Sequence, residues 1–474
     1  MAKEFVVAIE LGSSKITGIA GQKNIDGSIT VLAVAKEDAT QCIRKGVVYN
    51  IDKTVQALTN IINKLEKQLK TKIAHVFVGV GGQGLHSIKN IVPKSLPIET
   101  IVSQDMVNEL MDSNRSMVYP EQEILDAVIQ EFKVDLQYQF DPVGILCKHL
   151  DGNFLNILWR KSFYRNLTKC FENANIDIAD MFISPLALAD SVLTEAEKRA
   201  GCVLVDLGAE TTTVSVYHKN TLRHLSVIPL GGNNITKDIS SLQIDESYAE
   251  KMKLKYGNAF VGENDDEKDK LPLEDERSVE STVFNDIVEA RVEEIVRNAW
   301  EQVPEEYIDK LLSGIVLTGG GSNMKNIEKA FMNYTRIDKV RIAKFVTLAV
   351  KSENDEIPHD GTENTSLGLL DKGNVNCAGE EITDDLFGAG SHVPKRPIND
   401  PAAQGGIVHI DEKKAEEEAE RKRKEEEEAE RKRKAEEEAE RRRKEEEEEK
   451  KKKKTHKIFD WLKNFGNTIM AEEE

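Results

Sequence analysis

The sequence predicts an α/β protein of two related halves followed by a long charged extension. Three observations carry this prediction. An apolar run, an acidic residue, a glycine and a hydroxyl-rich turn occur at Ile9-Glu10-Leu11-Gly12 and again at Val205-Asp206-Leu207-Gly208. A glycine-rich turn, Thr318-Gly319-Gly320-Gly321, joins a third apolar run to a helical pattern. Residues 415–454, AEEEAERKRKEEEEAERKRKAEEEAERRRKEEEEEKKKKK, are almost wholly Glu, Lys, Arg and Ala.

Length and charge bound the rest. A chain of 474 residues suggests two or three domains, and 39% hydrophobic content supplies their cores once the charged extension is set aside. The formal net charge of -19 argues against a general nucleic-acid binder, because no strongly basic face is available to neutralise a phosphate backbone. Residues 412–454 hold 19 Glu against 19 Lys plus Arg, so the excess negative charge lies elsewhere. Cys42, Cys147, Cys170, Cys202 and Cys377 form no C-x-x-C pair and read as buried thiols of a reducing cytosol. The opening MAKEFVVAIELGSSK reads as strand and turn rather than signal peptide, and no apolar run approaches the roughly 20 residues that span a bilayer. Membrane contact, if present, is expected to be peripheral.

In the first segment, Phe5 to Ile9 is apolar, Gly12-Ser13-Ser14-Lys15 makes a polar turn, and Ile16 to Ala20 is apolar again. That pattern predicts strand, tight loop, strand, and its spacing matches neither a P-loop nor a dinucleotide fingerprint. The second segment, GCVLVDLGAETTTVSVYHKNTLRHLSVIPLGG, repeats it and adds a turn at Lys219-Asn220 before a further strand. Two such hairpins facing one another would direct backbone N–H groups and the hydroxyls of Ser13, Ser14, Thr211 and Thr212 onto a phosphate chain. The carboxylates of Glu10 and Asp206 would hold a hydrated Mg²⁺ beside it. In the third segment, Ile315 to Leu317 is the expected strand, and Met324, Ile327, Ala330 and Phe331 mark a helix following the glycines directly.

Together these motifs resemble the actin-like ATPase superfamily, and within it the FtsA family of bacterial cell-division proteins. HVFVGVGGQGLHSIKNIVP from His75, FDPVGILCKHL from Phe140 and CFENANIDIADMFISPLALADSVLTEAEKRAGCVLVDLG from Cys170 follow that family's order and spacing, and the resemblance covers residues 1 to about 375. It implies an actin-like (ribonuclease H-like) two-domain α/β fold with an inserted subdomain. The first domain would comprise 1–82 and 161–197, the insertion 83–160, and the second domain 198–380 with 233–312 as its small subdomain. It also implies ATP and Mg²⁺ as ligands. Gly12, Ser13, Ser14 and Lys15 would meet the phosphates from one side, and Asp206, Gly208, Thr211 and Thr212 from the other, with Gly232 in the connecting turn PLGGNN. In AEKMKLKYG, Glu250 and Lys253 would lie at the ribose and base, and Gly319, Gly320, Gly321 and Asn323 would line the adenosine pocket. Two positions depart from the family pattern. Glu10 stands where Asp is usual, and Glu210 puts bulk and negative charge where a small residue is more often found. With no evident general base, the resemblance implies nucleotide binding with slow or absent hydrolysis.

The extension divides into three parts. Residues 381–411, including FGAGSHVPKRPINDPAAQGG, are rich in Gly and Pro and read as a flexible linker. Residues 412–454 place Glu before Lys or Arg at i, i+4 without an apolar seam, which predicts a lone helix or a polyampholyte coil; fully helical, it would span about 65 Å. Either state is a spacer. In 455–474, Ile458, Trp461, Leu462, Phe465 and Ile469 fall on one side of a helix with Phe459 at its edge, behind the Lys450–Lys454 cluster. This predicts an amphipathic foot on anionic lipid. The alternative is a helix that packs on its own protein.

The function expected is an ATP-binding actin-like adaptor that anchors the FtsZ ring at the cytoplasmic face of the cell membrane at the septum. By resemblance its partners are FtsZ, further copies of itself in a filament or oligomer, anionic lipids and other division proteins, with no nucleic acid. The insertion would serve protomer contact and the 233–312 subdomain would receive the FtsZ tail, with GENDDEKDKLPLEDERS from Gly262 as a loop. The alternatives are a small-molecule kinase of the same superfamily and a pilus-type or chaperone-type relative.

Overall fold

Val6–Leu11 and Lys15–Lys23 form an antiparallel hairpin, as the two apolar runs require, with Glu10 opposite Thr17. Its turn is closed by the Gly12 N–H donating to the Lys15 carbonyl at 3.0 Å. Ile29–Asp38 pairs antiparallel with the second strand of the hairpin. Val76–Val80 lies parallel to the first, and Ile178–Ile183 lies parallel to Val76–Val80. The second half repeats the plan. Cys202–Leu207 and Thr212–His218 form its hairpin, Thr221–Ile228 is the third strand, and Gly314–Thr318 and Val340–Ile342 are added in parallel. Both halves therefore share the strand order third, second, first, fourth, fifth. This computed structural model describes residues 4–262, 270–273, 277–352 and 357–381. The linker beyond 381, the 412–454 spacer and the 455–474 helix, with Ile458, Phe459, Trp461, Leu462, Phe465 and Ile469, lie outside the described residues.

Local chemistry sets the element boundaries. The Asn50 side chain accepts from the Lys53 N–H to start the helix Ile51–Leu69, and Leu58, Ile61 and Leu65 bury its apolar stripe. The turn expected at Lys219-Asn220 has both residues in the left-handed region, at φ 56° and 60°, which suits a two-residue hairpin. All five cysteines are buried free thiols.

Between the fourth and fifth strands of the first half, the chain departs to build a separate layer. His86–Ile101, Gln122–Val134 and Leu146–Arg160 form an antiparallel sheet. The helix Gln104–Arg115 belongs to the same layer, whose core includes Val107, Leu110, Phe132, Leu150 and Phe154. The first of these strands meets the edge strand of the second half where His86 pairs with Ser226, so the two sheets run on as nine strands. The buried Arg223 ties the joint, donating to Gln130 Oε1 at 3.1 Å, while Gln130 Nε2 donates to the Leu222 carbonyl.

Two local expectations change. The glycine-rich turn does not open directly into the long helix: Gly320–Asn323 is a 3₁₀ turn, Met324 is extended, and the helix is Ile327–Thr335. Among the described residues of the stretch from Gly262, expected as a loop, Lys270–Pro272 pairs with Ser278–Glu280 as a short ribbon leading into the helix Ser281–Glu301.

Candidate functional site

The two hairpins and the glycine-rich turn converge on one cavity of about 990 Å³. Of the residues singled out from sequence, Glu10, Gly12, Ser13, Ser14, Lys15, Asp206, Gly208, Thr211, Gly232, Glu250, Lys253, Gly319, Gly320, Gly321 and Asn323 all line it. Thr212 does not. Side chains alternate along a strand, and the fully buried Thr212 hydroxyl donates to the Leu230 carbonyl while Thr213 faces the cavity instead.

The hairpin turns match in detail. Gly208 N–H donates to Thr211 O at 2.9 Å, as Gly12 does to Lys15 O. A Cβ at Gly12 or Gly208 would press to 2.8 Å or 2.9 Å on the same closing carbonyl, so a larger residue would open the turn. The second turn is also held from behind. Gly232 and Asn233, at the start of the helix Gly232–Ser240, donate their N–H groups to the carbonyls of Gly208 and Ala209 at 3.0 Å and 2.6 Å.

Charge is concentrated at the floor. Glu10 accepts from Ser366 Oγ at 2.5 Å. Its pKa is pushed up to about 7, chiefly by removal from water, with Glu363 and Asp206 adding repulsion and the Ser366 bond and Lys15 opposing. Removal from water likewise pushes Asp206 up to about 6. Asp206 packs so tightly on the glycine-rich turn that a Cβ at Gly319 would come 2.3 Å from its Oδ1, and Gly319 sits at φ +80° besides. Glu363, almost fully buried, binds two cations, Lys15 at 2.5 Å and Lys36 at 2.7 Å.

In the second half, Lys253 is buried and donates to Glu250 Oε2 (2.7 Å), Thr236 Oγ1 (2.9 Å) and the Gly232 carbonyl (3.1 Å). Glu250 and Lys253, an i, i+3 pair on the helix Glu246–Tyr256, thus also secure the start of a second helix. Asn323 Nδ2 donates to the Asp360 carbonyl at 2.7 Å, tying the 3₁₀ turn to the loop before the helix Asn364–Lys372.

Sequence reading missed Lys36, Glu363 and Ser366, which back the floor residues Lys15 and Glu10 only through tertiary structure. It also missed Gly46 and Gly82, whose backbones touch: a Cβ on either would come within 2.5 Å of the other. GVGGQG was visible as glycine-rich, but its partner Gly46 stands alone between Lys45 and Val47.

These residues fit an anionic ligand carrying a divalent ion. The cavity has the size of a small-molecule site. Its glycine turns let backbone N–H groups approach the ligand, and its two raised carboxylates would gain stability from an adjacent cation. Among the described residues, no group of three or more His, Cys, Asp or Glu could hold a metal ion by itself, and no helix is long and apolar enough to cross a membrane.

Comparison with known proteins agrees with this architecture. Residues 203–366 match the family model for cell division protein FtsA, and residues 82–158 match the SHS2 domain inserted in FtsA. The FtsA of Porphyromonas gingivalis is 30% identical over 403 residues, covering 83% of each chain. That of Neisseria meningitidis is 32% identical over 69% of this chain and 80% of its own, and that of Bacillus subtilis 31% over 68% and 75%. Among solved structures, the PilM-PilN type IV pilus biogenesis complex aligns with a TM-score of 0.53 at 15% identity, over 77% of this chain and 97% of that one. That likeness concerns the fold, which is actin-like with an inserted domain. Sequence shared at this level across most of the length of several FtsA proteins places the chain in a family: it belongs to the FtsA cell division proteins.

Proposed function

We propose that this chain is a nucleotide-regulated adaptor that binds ATP with Mg²⁺ between its two halves and links the FtsZ ring to the cytoplasmic membrane at the septum. The observation that carries the nucleotide reading is the cavity enclosed by two matched hairpin turns, with recessed carboxylates at its floor. Gly12, Ser13, Ser14 and Lys15 would hold the phosphates from the first half, and Gly208, Thr211 and Gly232 from the second. Glu250, Lys253, Gly319, Gly320, Gly321 and Asn323 would take the nucleoside. Glu10 and Asp206 would hold Mg²⁺ through water, and the ion would neutralise phosphate charge. Thr212 keeps a structural part only, fixing the strand behind the turn. Binding would order the two halves relative to one another, with at most slow hydrolysis, and so set the geometry of self-association.

The remaining assignments follow family membership and sequence. Residues 83–160 would provide protomer contacts and 233–312 the surface for the FtsZ tail. The 381–411 linker and the 412–454 spacer would set the reach to the membrane. Residues 455–474, with the apolar face of Ile458, Phe459, Trp461, Leu462, Phe465 and Ile469, would rest on anionic lipid.

Co-sedimentation tests the adaptor reading. With ATP and Mg²⁺ the chain should carry FtsZ into the pellet with anionic vesicles. Removing 455–474, or introducing Trp461→Glu with Phe465→Glu, should abolish pelleting. Full vesicle binding by either variant would refute the anchor.

A further inference from the structure

Glu210 is half-buried at the tip of the second hairpin, between two cavity-lining residues, Ala209 and Thr211. Its carboxylate leaves its own half: Oε2 accepts the backbone N–H of Lys45, in the first half, at 2.6 Å. That N–H is held in place by its surroundings. Lys45 and Gly46 form the left-handed tip of the ribbon Ile43–Arg44 and Val47–Val48, at φ 50° and 72°. The Gly46 N–H donates to Ser13 Oγ at 2.8 Å, and the Lys45 carbonyl accepts from the Gln83 N–H at 2.8 Å. Gly82 backs the tip so closely that a Cβ on it would come 2.3 Å from the Gly46 carbonyl. The ribbon tip is therefore a rigid donor site for a carboxylate, and Gly46 itself lines the cavity.

We infer that Glu210 is a clasp across the rim of the cavity that controls passage of an anionic nucleotide between the two halves. The inference rests on the nucleotide-binding reading and adds a rate control to it. A charged hydrogen bond from one half to the other holds the rim together, and its negative charge opposes an approaching phosphate chain. Because one partner is a half-buried side chain at a turn, the bond can open without disturbing either core.

Two measurements on the full chain test this. Without nucleotide, hydrogen exchange at the Lys45 amide should be protected in the native chain and faster in Glu210→Ala by roughly fivefold; equal exchange would show that no clasp forms. In stopped flow, a fluorescent ATP analogue with Mg²⁺ should both enter and leave Glu210→Ala roughly fivefold faster, with melting temperature unchanged. Glu210→Gln, which keeps an acceptor, should restore most of the slow release. Release rates in Glu210→Ala equal to those of the native chain, or Glu210→Gln as fast as Glu210→Ala, would overturn the inference. Failure of the analogue to bind the native chain at all would overturn the nucleotide reading and its rate control, while the exchange comparison still decides whether the two halves are clasped.

Discussion

Glu10 has one carboxyl oxygen on the Ser366 hydroxyl and the negative charge of Glu363 and Asp206 nearby. Its folded pKa, about 7, lies above its ordinary 4.5, so the folded state holds the proton more tightly than the unfolded chain. The stability this supplies is fully present below 4.5 and is lost as pH rises through about 7. In chelator, the native chain should therefore lose stability relative to Glu10→Gln between those limits, by roughly 3 kcal/mol. Urea titrations of both proteins across that range would show it; parallel curves would contradict it. Gly82 offers a steric counterpart. At φ +95° and against the Gly46 carbonyl, it leaves no room for a methyl group, so Gly82→Ala should cost roughly 2–4 kcal/mol by the same method. At this scale the motifs were legible because each turn carries its chemistry within a few residues. The partners of Lys15 were not, since Glu363 is far along the chain and looks like an ordinary exposed acid until the fold buries it. Thr212 was misread because a hydroxyl run does not reveal which members face the cavity.

At the scale of elements, the repeated strand order is the sequence duplication made visible. Each hairpin could be read locally from its apolar runs and its turn, and the run Ile315 to Leu317 announced the strand Gly314–Thr318 but not its parallel pairing. The junction between the insertion and the second half could not be read this way, because the pairing of His86 with Ser226 is long-range and short. Gln130 is one of its polar contacts, beside Ser87 on Leu225, and serves both Arg223 and the Leu222 carbonyl. Gln130→Ala would leave a buried guanidinium and a carbonyl short of partners. Thermal or urea unfolding should then show a loss of about 1–3 kcal/mol, whereas a neutral result would mean that Gln130 does not hold the joint. The 3₁₀ turn at Gly320–Asn323 also escaped sequence reading. Glycines announce a turn but not which helical pitch follows it.

For the whole molecule, the account joins an actin-like body to a charged extension whose expected roles are spacing and membrane attachment. These make separable demands. Loss of 455–474 should abolish vesicle binding while leaving nucleotide affinity unchanged in solution, as equilibrium binding of labelled ATP would report. Loss of cavity residues should do the reverse. The most direct measurement is calorimetric titration of the full chain with ATP in Mg²⁺, beside Lys15→Ala and Asp206→Ala. The account predicts one saturable site in the native chain and affinity lower by about tenfold or more in each variant, with their folds intact. A native chain that takes up no ATP, or variants that bind it as tightly as the native chain, would contradict it.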